Sequence, residues 1–232
     1  LVNQCYENNT SYVDITGENI WVRDLIDRYH KGCEDKGIFI IPSCGYDSIP
    51  SDIGSFYCHL MLNENINHID GYHTGKGGVS GGTIESAFNM KNYKSSYKIG
   101  HPFLLNSKEF TMNNYNSKSK DKFSIKYVKD IKKYSAPFVM AIANTRVVRR
   151  TAELKQDKQT SYGPYFSYNE YMKTGSYISA LMITLGLGVL GLMIISPISN
   201  LFRKLFTKPG NGPDKKTSCL LYTSDAADEG HC

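Results

Sequence analysis

The apolar positions change their period along the chain, and each period predicts an element. Ile20, Trp21, Val22, Leu25, Ile26, Tyr29 and Cys33 recur at three- and four-residue steps, which predicts an amphipathic helix over 18–36. Gly37 stands where a left-handed residue would stop it. Ile38 to Ile41 is a short, continuous apolar run rich in β-branching, expected as a strand covered on both faces. With Tyr12 to Ile15 before the helix, it completes a strand–helix–strand unit. A second helical spacing, Ile53, Phe56, Tyr57, Leu60 and Met61, follows the loop PSCGYDSIPSD. Pro50 falls in its first turn, and Ser48, Ser51 and Asp52 supply capping oxygens. The loop therefore runs from the carboxyl end of a strand to a helix N-terminus, where open parallel sheets bind ligands.

From Asn67 the organisation changes. His68 to His73 and Phe123 to Val128 alternate and predict strands of a second sheet, while SGGTIESAFNM, Ser80 to Met90, reads as a turn entering a helix. The polar stretch Asn106 to Lys122 is expected as an exposed loop. A helix with Pro137 in its first turn should then run to Leu154. Tyr177 to Ser199 contains no charged side chain and is long enough to cross a bilayer core, which takes roughly 20 residues. Lys173 precedes this run and Arg203, Lys204 and Lys208 follow it, where their stems can snorkel to headgroups. A buried helix of a larger protein is the alternative, and Gly186, Gly188 and Gly191 suit close packing in either setting.

Composition narrows the function classes. At 232 residues and 41% hydrophobic content the chain can bury one large core or two small ones. Its net charge of +5 is mild and spread along the sequence, without a basic helix or RNA signature, so nucleic acid is not an expected partner. The six cysteines form no CxxC pair and have no histidine at metal-ligand spacing, which reads as reduced thiols and no metal site. The first residue is Leu1, and the opening reads as the end of a helix, so the true start is expected upstream. CLLYTSDAADE, from Cys219, resembles the translation of a sequencing-library adapter; residues 219–232 are set apart from the fold, and the natural C-terminus is also expected to be missing.

No GxGxxG follows a strand, and there is no P-loop, HExxH or GxSxG. Gly75 to Gly78 and Ser80 to Thr83 lack the flanking order of a dinucleotide fingerprint. Asp47, Ser48, Ser51 and Asp52 lie near helix N–H donors and could hold a ribose, a carbonyl or a carboxylate; the alternative is that they only cap the helix. Cys44 reads as an inert thiol unless it lies near a reacting group. Arg146, Arg149 and Arg150 share one helix face, bordered by Asn144 and Thr145, which makes either an anion-binding cluster or a solvated face. His30 and His59 read as structural.

YVDITGE, WVRDLIDRYHKGCEDKG, IFIIP, CGYDSIPSD, SGGT, FVMAIANTRVVRR and YGPYFSYNEY occur in the order found in the saccharopine dehydrogenase-like oxidoreductases. The chain resembles that family over residues 1–215. The resemblance implies an α/β fold: the C-terminal part of a Rossmann-like, dinucleotide-binding parallel sheet at 1–57, an α+β substrate domain at 58–172 and a hydrophobic, membrane-competent helix within 173–206. A polar tail at 207–218 and the adapter-like 219–232 complete the chain. The implied activity is NAD(P)-dependent oxidoreduction of a lipid-linked or apolar substrate, in a parent protein associated with the cytoplasmic face of a membrane or with a lipid droplet. A non-catalytic membrane or lipid-droplet binding protein retaining the fold is the alternative. Related bacterial members resemble trans-acting enoyl reductases. The family's glycine-rich nucleotide motif is not in this sequence, so no residue is assigned to the pyrophosphate. The implied cofactor contacts are Cys44, Gly45, Asp47, Ser48, Ser51 and Asp52, and the implied substrate contacts are Ser80, Thr83, Asn144, Arg146 and Arg149.

Overall fold

The computed structural model describes residues 1–62, 64–75, 81–98, 100–115, 117–156, 161–163, 165–197 and 199. After helix α1 (Val2–Glu7), strand β1 (Tyr12–Val13) pairs in parallel with β2 (Ile40–Ile41), Tyr12 opposite Ile40 and Val13 opposite Ile41. Helix α2 (Asn19–Lys36) makes the crossover, burying Ile20, Val22, Leu25 and Cys33. It ends as expected at Gly37, whose φ of 64° is left-handed and aims its N–H at the carbonyl of Glu34. The two strands are shorter than their apolar runs, and Val13 and Ile41 are exposed, so β2 is not covered on both faces among the described residues.

Helix α3 (Ile49–Leu62) continues without a break through position 57 and leads to β3 (His68–His73). Helix α4 (Gly81–Asn92) follows, then α5 (Lys108–Asn114), β4 (Lys126–Val128), β5 (Lys133–Pro137), α6 (Ala141–Leu154), β6 (Ser167–Thr174) and α7 (Tyr177–Ile195). The second sheet has the order β3-β6-β5-β4; β3 and β6 are parallel, and the β6–β5 and β5–β4 pairs are antiparallel. Helix α6 packs on β6, and α3 packs on α6. Phe103, Phe110, Val148, Ala152, Tyr162, Phe166 and Tyr168 form the core between them. Each large side chain so enclosed contributes about 1.5–3 kcal/mol through removal from water.

Three expectations are corrected. Asn106 to Lys122 is not an exposed loop: Ser107 caps α5 by accepting the Phe110 N–H at 3.1 Å, and Phe110, Asn114 and Ser119 are buried. Pro137 does not open the following helix but ends β5 opposite Tyr171, where its missing N–H stops the ladder, and α6 starts four residues later. The strand expected from Phe123 begins only at Lys126. Strand β6, which begins within YGPYFSYNEY and runs three residues past it, had no element assigned to it, although it is central in the sheet. Helix α7 is long and apolar enough to cross a membrane by length and composition, yet Ala180 is its only fully buried residue. Gly77 and Gly78, Ser80, Arg203, Lys204, Lys208, the polar tail and the adapter-like end lie outside the described residues.

Candidate functional site

The two motifs YVDITGE and CGYDSIPSD meet through Asp14. Its Oδ1 accepts the N–H groups of Thr16 at 2.9 Å and Ser43 at 3.2 Å, and its backbone carbonyl accepts the Cys44 N–H at 2.7 Å. Ser43 in turn donates its hydroxyl to the Thr16 carbonyl at 2.7 Å. These bonds hold Ser43, a non-glycine residue, at a left-handed φ of 63°. Gly45 then passes so near Ile15 that a Cβ there would lie 3.1 Å from that side chain. The turn closes when the Ser48 and Ile49 N–H groups both donate to the Gly45 carbonyl, at 3.1 and 3.0 Å, and the Asp52 N–H donates to Ser48. Pro50 has no N–H to offer, so the first turn of α3 keeps few free donors.

The turn borders a cleft of about 920 Å³ between α2, β2, the start of α3 and α6. Ile26, Tyr29, Phe39, Val147 and Leu154 make its walls apolar, and Asp52, Thr151 and Arg150 supply polar groups. Thr151 donates to Asp52 Oδ2 at 3.0 Å. The other oxygen, Oδ1, is buried with no partner among the described residues. Burial pushes this carboxyl up to about 6, against the opposing pull of the Thr151 hydrogen bond and the Lys155 charge. A carboxyl so placed can accept or hold a proton within the cleft.

Behind the turn lies a buried polar network. Ser48 donates to Asn144 Oδ1 at 3.0 Å, and the Asn144 amide donates to Glu170 Oε2 at 3.0 Å and to the Ser51 hydroxyl at 3.3 Å. Tyr168 donates to Glu170 Oε1 at 2.7 Å, and His73 Nε2 lies 3.5 Å from the same oxygen. The Glu170 side chain is fully enclosed. Burial first, then the Glu170 charge, pushes the Tyr168 phenol well above its ordinary range, so it remains a donor.

The structure thus brings Ser48, Ser51 and Asn144 together and turns Asp52 into the cleft. The two serine hydroxyls and the Asp52 carboxylate bond across to α6 instead of capping α3. Cys44 is half-buried; its thiol donates to the Ile41 carbonyl at 3.3 Å and is raised by burial and by Asp14, which keeps it protonated. Asp47 is exposed on the turn, and Thr83 lies in α4. The solvated-face reading of the arginines fails for two of them. Arg146 is buried and holds Asp121 with two bonds, of 2.6 and 2.7 Å, and the carbonyls of His101 and Gly100. Arg149, equally buried, donates to the carbonyls of Pro102 at 2.6 Å and Tyr168 at 2.7 Å. Only Arg150 borders the cleft.

Sequence reasoning did not single out Asp14, Thr151, Tyr168 or Glu170. Asp14 carried a signal, the Asp-x-Thr spacing of a local side-chain-to-backbone turn. Tyr168 and Glu170 carried another, their two-residue alternation in SYNEYM.

No family model matches the chain, and no solved structure matches it at a significant level. Curated proteins do. A trans-acting enoyl reductase of Mycobacterium ulcerans is 28% identical over 255 residues, covering 97% of this chain and 60% of the relative. Saccharopine dehydrogenase-like oxidoreductases of Homo sapiens and Bos taurus are each 31% identical over 175 residues, covering 72% of this chain and 39% of the relative. The fold and these likenesses define a mixed α/β relative of oxidoreductases. Over 72% of its length the chain is similar to the saccharopine dehydrogenase-like oxidoreductases. It spans 39% to 60% of the length of the relatives just described.

Proposed function

We propose that this chain forms part of an NAD(P)-dependent oxidoreductase acting on an apolar or lipid-linked substrate at a membrane or lipid-droplet surface. The observation that carries the reading is the position of the Pro42–Ser48 turn. It leaves the carboxyl end of a parallel strand, borders an apolar cleft and delivers Asp52 with an unpartnered buried oxygen. That orphaned acceptor fits a ribose hydroxyl or a carboxamide N–H. The pyrophosphate finds a poorer fit, because the N–H groups of Ser48, Ile49 and Asp52 are already used, Pro50 has none and Arg150 is paired with Glu153.

The residues present therefore suit the ribose and nicotinamide portion of the cofactor. Asp52 and Thr151 would hold it, with the turn backbone at Cys44 and Gly45 alongside. Bound there, the nicotinamide supplies or accepts hydride. Ile26, Tyr29 and Phe39 give the same space apolar walls, and Asp52 can take or release a proton beside it. The apolar walls and the unshielded α7 favour an apolar substrate over a polar dicarboxylate.

The test is titration of the full-length gene product with NADPH and NADH while nicotinamide fluorescence is followed. Saturable enhancement, weakened by Asp52→Ala, is the expected result. No change with either nucleotide would sink the reading.

A further inference from the structure

The exposure of α7 is divided by face. Ala180, Ile183, Thr184, Leu187 and Leu190, spaced at i, i+3, i+4, i+7 and i+10, are buried or half-buried. On the other side Ile178, Met182, Leu185, Val189 and Leu192 are 51% to 71% exposed. A helix with protein on one face and water on the other carries polar residues outward. Helix α7 carries no charge and mostly aliphatic residues there, so its outer face calls for an apolar medium.

Both ends of α7 are fixed to the same body. At its start, the Tyr177 ring meets Tyr134 of β5 edge-on at 5.9 Å. At its finish, Lys91 of α4 donates to the carbonyls of Ile195 at 3.3 Å and Ser196 at 3.1 Å and to the Ser199 hydroxyl at 2.9 Å, a cation on the negative end of the helix. Just beyond α4, Tyr93 donates to Asp24 of α2 at 2.7 Å. The ends of a helix of 19 residues lie about 28 Å apart. Were α7 to cross a bilayer, Lys91 and the charged helix α2 would be carried to the far side while the sheet stayed on the near side. The polar body between them would then lie in hydrocarbon.

The start of α7 also adjoins an interfacial set of side chains. Tyr127, Tyr134 and Tyr177 form a row with ring spacings of 5.1 and 5.9 Å, and the two outer rings are 54% and 52% exposed. Tyr134 is paired with both Tyr127 and Thr174, so the β4–β5 turn, with Lys129 and Lys132, lies at the end of the sheet from which α7 departs. Tyrosine with lysine at the border of an apolar stripe is the side-chain chemistry of a membrane interface.

We infer that α7 and the β4–β5 hairpin form a docking face on which the protein lies flat, with the outer stripe of α7 in a single anionic phospholipid leaflet and Lys129 and Lys132 on the headgroups. The inference rests on the membrane part of the reading above and specifies its geometry.

The full chain is floated with phosphatidylcholine vesicles, with and without phosphatidylserine. Gly175→Cys and Pro197→Cys, at exposed sites outside the two ends of α7, are labelled with a membrane-impermeant maleimide and read by peptide mass spectrometry. Flotation with both sites labelled from outside supports the flat geometry. Flotation with one site labelled only by reagent trapped inside the vesicles overturns it and leaves membrane association standing. No flotation overturns both. Leu185→Glu, on the exposed stripe, is expected to abolish flotation with unchanged circular dichroism, and a variant that still floats overturns the assignment of that face. Lys129→Gln with Lys132→Gln is expected to weaken binding to phosphatidylserine vesicles about 30-fold. Unchanged binding removes the hairpin from the docking face.

Discussion

Asp52 has one carboxylate oxygen on Thr151 and the other buried without a partner, and burial raises it from 3.8 to about 6. The unfolded chain ionises near 3.8 and the folded one near 6, so the unfolded state gives up its proton first. Stability attributable to this group is therefore full below 3.8, falls as pH rises through the window to about 6, and stays lower above it. Asp52→Asn keeps an acceptor for Thr151 and removes the charge. It is expected to raise stability by about 2 kcal/mol near pH 7.5 and by little near pH 3, read from urea denaturation at the two pH values. Asn144 is the second decisive residue, since it joins Ser48, Ser51 and Glu170. Asn144→Ala leaves a buried carboxylate short of a donor and is expected to cost about 3 kcal/mol in the same assay. Ser48, Ser51 and Asn144 were recognisable as chemistry-bearing residues in the sequence. Their convergence was not, because Asn144 lies 96 positions from Ser48 and 26 from its main partner, Glu170.

At the scale of elements, what could be read depended on whether local periodicity or remote partners determined the conformation. Helices α2 and α3 and the apolar α7 followed their spacing, and Gly37 stopped α2 where expected. Helix α5 was missed because its stretch is rich in Asn, Ser and Lys, several of whose side chains donate to acceptors inside the protein. Asn106, for example, donates to the Arg149 carbonyl at 2.9 Å and to Glu153 at 3.1 Å. The arginines of α6 were read as one cluster, but Arg146 and Arg149 reach acceptors, Asp121 and four backbone carbonyls, that lie elsewhere in the chain, while Arg150 borders the cleft. The parallel β3–β6 pair offers a sharp test. Gly71 faces Tyr168, and a Cβ there would stand 2.7 Å from a phenol oxygen already held by Glu170. Gly71→Ala is expected to cost about 2 kcal/mol, because the ring is locked in the core and cannot give way. Gly54 in α3 meets nothing within 4 Å, so Gly54→Ala is expected to stabilise by about 1 kcal/mol. Thermal melts of the two variants should therefore move in opposite directions.

For the whole molecule, the question is how much of a cofactor site these residues hold. Strand pairing at the cleft is two residues long, and Val13, Ile15 and Phe39 beside it are 63%, 77% and 66% exposed, so the pair does not enclose a ligand by itself. At the α3 turn the N–H groups of Ser48, Ile49 and Asp52 are committed to Gly45 and Ser48, and Pro50 has none. What remains is an apolar wall, one unpartnered carboxylate oxygen, one threonine and Arg150, whose guanidinium is engaged with Glu153 at 2.8 Å; this suits a ribose and a planar ring and offers two phosphates few free donors. The 232-residue chain is accordingly expected to bind NADPH with a Kd of about 1 mM or weaker, a free energy near −4 kcal/mol, and a longer protein that adds the phosphate contacts at least about 100-fold more tightly. Nicotinamide fluorescence titrations of the two proteins, side by side, measure the difference. Equal affinities would mean that phosphate contacts contribute nothing beyond this chain, which would contradict the donor count at the turn. A large gap that closes when the ligand is nicotinamide mononucleotide would place this chain's contribution at the nicotinamide end.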